Sequence, residues 1–182
     1  MSINLTLEGA NPIAAMSCKT NILASAGHEG RALQIRQATL NDIDDLMVQA
    51  ELFHAESSYK NIPINQDKLR GFYKAQVILE TSLILVAYQG KQLVGHFVAH
   101  IYDFYFSEER SAADLILYVT PEKRGSRAAL TFIRQYHEWC TVNGVVDASL
   151  SISTDINPGK TSRFYSKLGF PLAGHLHKKK IA

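Results

Sequence analysis

Apolar residues along this chain recur at two periods, and each switch of period marks a new element. Leu33-Gln34-Ile35-Arg36-Gln37-Ala38 alternates and predicts a first strand. Thr39, Asn41 and Asp42 then offer capping oxygens to a helix whose apolar stripe is Ile43, Leu46, Met47, Ala50 and Phe53. Asn65 is placed to cap a second helix carrying Leu69, Phe72, Tyr73 and Val77. The runs Leu83–Tyr88 and Leu93–His100 flank Gln89-Gly90-Lys91-Gln92 and predict a hairpin, with Gly90 suited to its turn. An aromatic stretch, Ile101–Phe106, and a charged turn over 107–111 follow.

The centre of the pattern is Leu115–Cys140. Leu115–Val119 is a short, β-favouring apolar run, and the strand it belongs to starts near Ala112. Pro121-Glu122-Lys123-Arg124-Gly125-Ser126-Arg127 is a charged loop. Ala129, Phe132, Ile133, Tyr136 and Cys140 then share one helical face. Gly144 stops that helix, and Val145–Ile152 alternates as another strand. Asn157-Pro158-Gly159 turns into a short helix holding Phe164, Tyr165 and Leu168, closed by Gly169. A last strand or hairpin is expected from Phe170 to Ile181, with Lys178-Lys179-Lys180 as a solvated edge feature. This order predicts an α/β (α+β mixed) class, with a central mixed, mostly antiparallel sheet of about six to seven strands flanked by helices.

Composition narrows the class. The chain has 182 residues, enough for one domain with a packed core, and 46% of them are apolar. Residues 33–182 carry the periodic elements. Residues 1–32 lack a sustained period after Ile3-Asn4-Leu5-Thr6-Leu7, and form an N-terminal extension expected to wrap the domain or stay partly disordered. They are also a candidate homodimer contact. A net charge of +2 gives no reason to expect nucleic acid, and no apolar run reaches membrane-spanning length. Cys18 and Cys140 read as reduced thiols of a cytoplasmic protein, and the seven histidines show no metal-ligand spacing.

The loop before the long helix has chemical use. The first amides of a helix lack partners inside it, and its dipole adds partial positive charge. Arg124 and Arg127 add full charges, and Gly125 permits close backbone approach. A phosphate seat and a merely well-capped helix with two solvated arginines are both compatible with the spacing.

The segment VTPEKRGSRAA resembles the acyl-CoA-binding segment of the GNAT superfamily of N-acyltransferases, Val-x-Pro-x-x-Arg-Gly-x-Gly-x-Gly/Ala. Val119, Pro121, Arg124, Gly125 and Ala129 match; Arg127 replaces a usual glycine. A second block, Asn157 followed by Phe164-Tyr165-Ser166-Lys167-Leu168-Gly169-Phe170, resembles that superfamily's later signature. The resemblance covers roughly residues 33–181. The resemblance implies a GNAT-like fold, acetyl-CoA as co-substrate with no metal, and transfer of an acetyl group to a primary amine of a small molecule or protein by direct attack in a ternary complex. It implies that the backbone of Leu117, Tyr118 and Val119 holds the pantetheine arm, and that Arg124, Gly125, Ser126, Arg127, Ala128 and Ala129 cradle the pyrophosphate. Asn157 is implied to bond the pantetheine, and Tyr165 to protonate the leaving thiolate. Asp114 stands where some relatives carry a carboxylate base. Glu51, Glu56, His96, His100 and Asp103 remain alternatives, as does an ordered water. A catalytically inactive acetyl-CoA sensor or structural module is the competing reading. A nucleotide-binding protein is a third, disfavoured because no complete Gly-x-x-x-x-Gly-Lys-Ser/Thr run exists.

Overall fold

The computed structural model describes residues 32–179 and 181. Its elements are β1 (Leu33–Gln37), α1 (Ile43–Glu56), α2 (Gln66–Ile78), β2 (Ser82–Gln89), β3 (Gln92–Asp103), β4 (Arg110–Val119), α3 (Ala128–Val142), β5 (Val145–Ser149) and α4 (Pro158–Lys167). The strands form a mixed sheet in the order β1-β2-β3-β4-β5, antiparallel throughout except for the parallel pair β4–β5.

Local chemistry sets the boundaries. The Asp42 carboxylate accepts from the Thr39 amide (2.7 Å) and hydroxyl (2.9 Å) before α1, and Asn65 Oδ1 accepts from the Lys68 amide (2.9 Å) at the start of α2. The hairpin turns at Gly90, with φ 61°, a left-handed conformation that glycine adopts without strain.

Alternation along β2 divides the interior in two. Leu83, Leu85 and Ala87 face α3 and pack with Phe97, Phe132, Tyr136 and Trp139. Ile84 and Val86 face α1 and α2 and pack with Leu46, Met47, Tyr73 and Val98. Each helical layer thus buries one side of the same sheet.

Two departures from a regular sheet prepare the site. Val98 pairs with Ile116 but Ala99 pairs with Asp114, so Leu115 is an extra residue bulged out of β4. The bulge moves the alternation by one position: Ala112, Leu117 and Val119 all pack toward α3 despite their odd spacing. The second departure is at β5, whose pairing with β4 ends at Ala113–Ser149. Beyond that point the parallel strands part, and among the described residues one edge of β4 has no strand beside it. On the other edge, Gly95 of β3 faces Val119, and a Cβ placed on Gly95 would lie 2.7 Å from the Tyr118 carbonyl oxygen.

The sheet is smaller than its sequence suggests. Five strands are present among the described residues, and Phe170–Lys179 forms no strand. Pro171 lacks an amide donor, and Leu172 and Leu176 are exposed. Phe170 alone in this stretch packs on the core, its ring 6.3 Å from that of Tyr136. β5 also stops at Ser149 rather than Ile152, because the chain beyond it leaves β4. The expected strand at Ile3–Leu7, like Cys18, lies outside the described residues.

Candidate active site

The fork between β4 and the chain after β5 opens into a cleft of ≈ 750 Å³. That is the size of a pocket for a substantial small-molecule ligand. One wall is β4 from Asp114 to Val119, and the other is Ser151–Asn157 with Tyr165 of α4. Five residue steps of strand make the β4 wall ~16 Å long, somewhat less across the bulge. Backbone groups along its unpaired edge are free to pair with an extended ligand as another strand would.

The loop into α3 closes one end. Gly125 adopts φ +88°, with open space where a side chain would project; the backbone conformation, not crowding, calls for glycine. The Ala128 amide lies 3.4 Å from Ser126 Oγ, and the Thr131 amide returns to the Arg127 carbonyl at 2.9 Å. Between them, the amides of Ala129 and Leu130 have no helical acceptor to reach. Lys123, Arg124, Arg127 and Lys160 all line the cleft. These amides and cations fit a diphosphate, and the unpaired edge fits its extended arm.

Arg124 is also tied to the protein. Nη2 donates to Glu56 Oε2 at 2.5 Å, Nε donates to the Val119 carbonyl at 3.1 Å, and the guanidinium lies 5.9 Å from the centre of the Tyr118 ring. The Tyr118 hydroxyl donates to Glu56 Oε1 at 2.6 Å. The end of α1 is therefore fastened to the β4–α3 loop, and burial together with Glu56 holds the Tyr118 phenol protonated.

Asp114 lies at the crotch of the fork. It is 8% exposed, not the water-facing strand-edge carboxylate that an edge position would give. Oδ1 accepts from the Ser151 amide at 2.7 Å. Burial raises its pKa to about 6, against the opposing pull of that hydrogen bond. Tyr165 is 5% exposed and shares the cleft with it; burial first, and the Asp114 charge second, push its phenol well above the ordinary value. Asn157 caps α4 in a left-handed conformation (φ 48°, ψ 52°), its side chain making no cap bond. Its carbonyl accepts from the amides of Lys160 and Thr161, both at 3.1 Å.

Of the residues singled out from sequence, Asp114, Leu117, Tyr118, Val119, Arg124, Gly125, Ser126, Arg127, Ala129, Asn157 and Tyr165 line this one cleft. Ala128 does not; it is fully buried in the core against the sheet. Of the alternative bases, Glu56 is engaged by Arg124 and Tyr118 beside the cleft, and the others are elsewhere. His96 is fully buried, bonded through Nε2 to the Tyr73 hydroxyl at 3.0 Å, and burial lowers its pKa to about 3. The His100 ring lies tilted against Tyr102, Glu51 accepts from Gln66, and Asp103 sits at the exposed end of β3 opposite Arg110. Sequence reasoning missed Phe53, Lys160 and Phe164 as cleft residues. Lys160 and Phe164 had a signal, since both fall within the second motif block, whereas Phe53 reads as core.

No family model and no curated protein matches the sequence. Solved structures match by shape. An acetyltransferase from Trypanosoma brucei superposes with a TM-score of 0.65 at 18% identity, over 82% of this chain and 100% of that one. An aminoglycoside acetyltransferase from an uncultured soil metagenomic sample, in complex with trehalose, gives 0.66 at 17%, over 82% and 96%. A ribosomal-protein-alanine N-acetyltransferase from Brucella melitensis biovar Abortus gives 0.60 at 15%, over 83% and 99%. The chain has the GNAT fold that its two motif blocks implied. Among the described residues, no helix is long and apolar enough to cross a membrane.

Proposed function

We propose that this protein is an acetyl-CoA-dependent N-acetyltransferase acting on a primary amine of a small molecule or protein by direct attack in a ternary complex. One observation carries the reading: a single cleft is lined by the loop into α3, by four cations, and by a buried carboxylate and a buried phenol. The fold shared with solved acetyltransferases supports it.

Acetyl-CoA supplies an already activated thioester when bound. The chain's own residues do the rest. Amides around Arg124–Ala129, with Lys123, Arg127 and Lys160, hold the diphosphate. The free edge at Leu117, Tyr118 and Val119 aligns the pantetheine arm, with the Asn157 side chain as its partner across the cleft. Its amides also face developing negative charge on a carbonyl oxygen. Asp114 accepts the proton that the attacking amine must lose; a carboxyl with pKa about 6 is ionised at neutral pH yet more basic than an ordinary aspartate. The Tyr165 phenol, kept protonated by burial, gives a proton to the departing thiolate. Most of the acceleration comes from holding two reactants in line.

Acetyl-CoA consumption across a panel of amines and peptides tests the reading. Calorimetry with CoA accompanies it: wild type binds CoA, and Arg124→Glu binds it at least tenfold more weakly, since reversal of one charge near a phosphate costs upwards of about 1.4 kcal/mol. CoA binding without turnover on any amine would turn the protein into a sensor. Binding of ATP but not CoA would remove both readings.

A further inference from the structure

The stretch after α4 holds a feature that the sheet does not explain. Residues 170–179 form neither helix nor strand, yet Lys178 is anchored. Its Nζ donates to the Ser153 carbonyl, lies 3.5 Å from Ser58 Oγ and 3.4 Å from the Tyr59 hydroxyl, and sits 4.7 Å from the centre of the Tyr59 ring. Three oxygens and an aromatic face match what an alkylammonium offers, three N–H donors and a cation. Among described residues 171–179, Lys178 is the one with hydrogen bonds to other described residues. Lys178 is exposed, as expected of a solvated residue, but its ammonium is held against the protein.

The walls of this cage stand without the tail. The buried Ser57 hydroxyl donates to the His54 carbonyl (2.9 Å) and accepts from the Tyr59 amide (3.1 Å), which fixes the turn after α1. The Ser58 amide donates to the Thr154 carbonyl at 2.9 Å, joining that turn to the chain after β5. Ser153 and Thr154 also form part of the cleft wall that begins at Ser151, where the amide binds Asp114. The cage therefore stands on the rim of the cleft, on the wall facing Asp114, the group that would take the amine proton.

We propose that this cage is a recognition site for an alkylammonium of the acceptor, and that Lys178 fills it as an intramolecular stand-in. The acceptor would carry a second ammonium on a flexible stem beside its reacting amine, as a diamine does or as a lysine-bearing peptide does. The tail competes with it. This inference rests on the transferase reading and deepens it.

The test uses the full chain with saturating acetyl-CoA, cadaverine and its one-amine counterpart pentylamine, and a short lysine-bearing peptide. Lys178→Ala should lower KM for cadaverine about tenfold, the effect of one cation–π contact with its hydrogen bonds, with a smaller change in kcat and little change for pentylamine. Tyr59→Leu should raise KM for cadaverine instead. An equal response of both amines to Lys178→Ala, or no response of cadaverine and the peptide alike, overturns the cage. If the peptide rather than cadaverine shows the shift, the same ammonium chemistry is presented by protein. A second readout needs no turnover: cadaverine added to wild type without acetyl-CoA should speed amide exchange in residues 170–179, and unchanged exchange overturns the stand-in role. Failure of every amine to consume acetyl-CoA sinks the transferase reading, while the exchange measurement still reports on the cage.

Discussion

Asp42 and Asp114 are the same side chain at nearly the same exposure, 3% and 8%, with pKa values moved in opposite directions. Asp42 sits at the corner of β1 and α1. Arg36 reaches it with two bonds of 2.8 and 2.7 Å, Thr39 with two more, and the Tyr88 hydroxyl lies at 2.9 Å. The Arg36 guanidinium leads these in holding its carboxyl well below the usual carboxylate range. Asp114 is held by the Ser151 amide and side chain and, among the described residues, is paired with no cation, so burial wins and its pKa rises. The corner charge is neutralised where it stands and serves architecture. The cleft charge is left without a counter-ion, as a group awaiting a proton or a cation would be.

The largest effect expected from breaking this contrast is on turnover. Asp114→Asn keeps an oxygen for the Ser151 amide but loses the base, and amine acetylation should fall on the order of 10²-fold or more. The rise of rate with pH through about 6 should vanish with it. A full rate in that variant would make Asp114 a second structural carboxylate. Asp42→Asn should instead cost about 2–3 kcal/mol in urea unfolding; Arg36 is 49% exposed, which keeps the loss below that of a fully buried pair.

Acid titration of stability separates the two aspartates further. Asp114 is raised from 3.8 to about 6, so the folded chain holds that proton more tightly. Its contribution to stability is present below the unfolded value and is lost as pH rises through 6, by roughly 3 kcal/mol. Asp42 is lowered, so its contribution is present above the unfolded value and is lost as pH falls below it. Unfolding of each Asn variant from pH 3 to 7 should flatten one limb and spare the other. The smallest effect concerns the neighbour. Tyr165→Phe should slow turnover about tenfold, below the usual range for a general acid because water can replace the phenol, with CoA affinity by calorimetry unchanged.

What was legible in the sequence was periodic or local. Ile43, Leu46, Met47 and Ala50 read as one helical face and are buried together; Phe132, Ile133, Tyr136 and Cys140 do the same. The two caps at Thr39 and Asn65 involve residues three apart, and Arg124–Arg127 and Ala129, one contiguous motif, line the same cleft. What was not legible depended on distant partners. Arg124 and Glu56 are 68 residues apart, and no local rule joins them. The bulge at Leu115 leaves no mark in an apolar run, yet it decides which way Asp114 faces. The segment after Phe170 alternates well enough for a strand, but a strand needs a free edge in register, and Pro171 and the early end of β5 deny it one.

Gly95 carries a consequence for design. The distance between β3 and the wall formed by β4 is kept short because one methyl group is missing, and the nearest obstacle is backbone, which cannot swing aside. Alanine there has to shove the Tyr118 segment toward the crevice from behind. The bore of the channel can thus be narrowed by a substitution that no ligand ever touches.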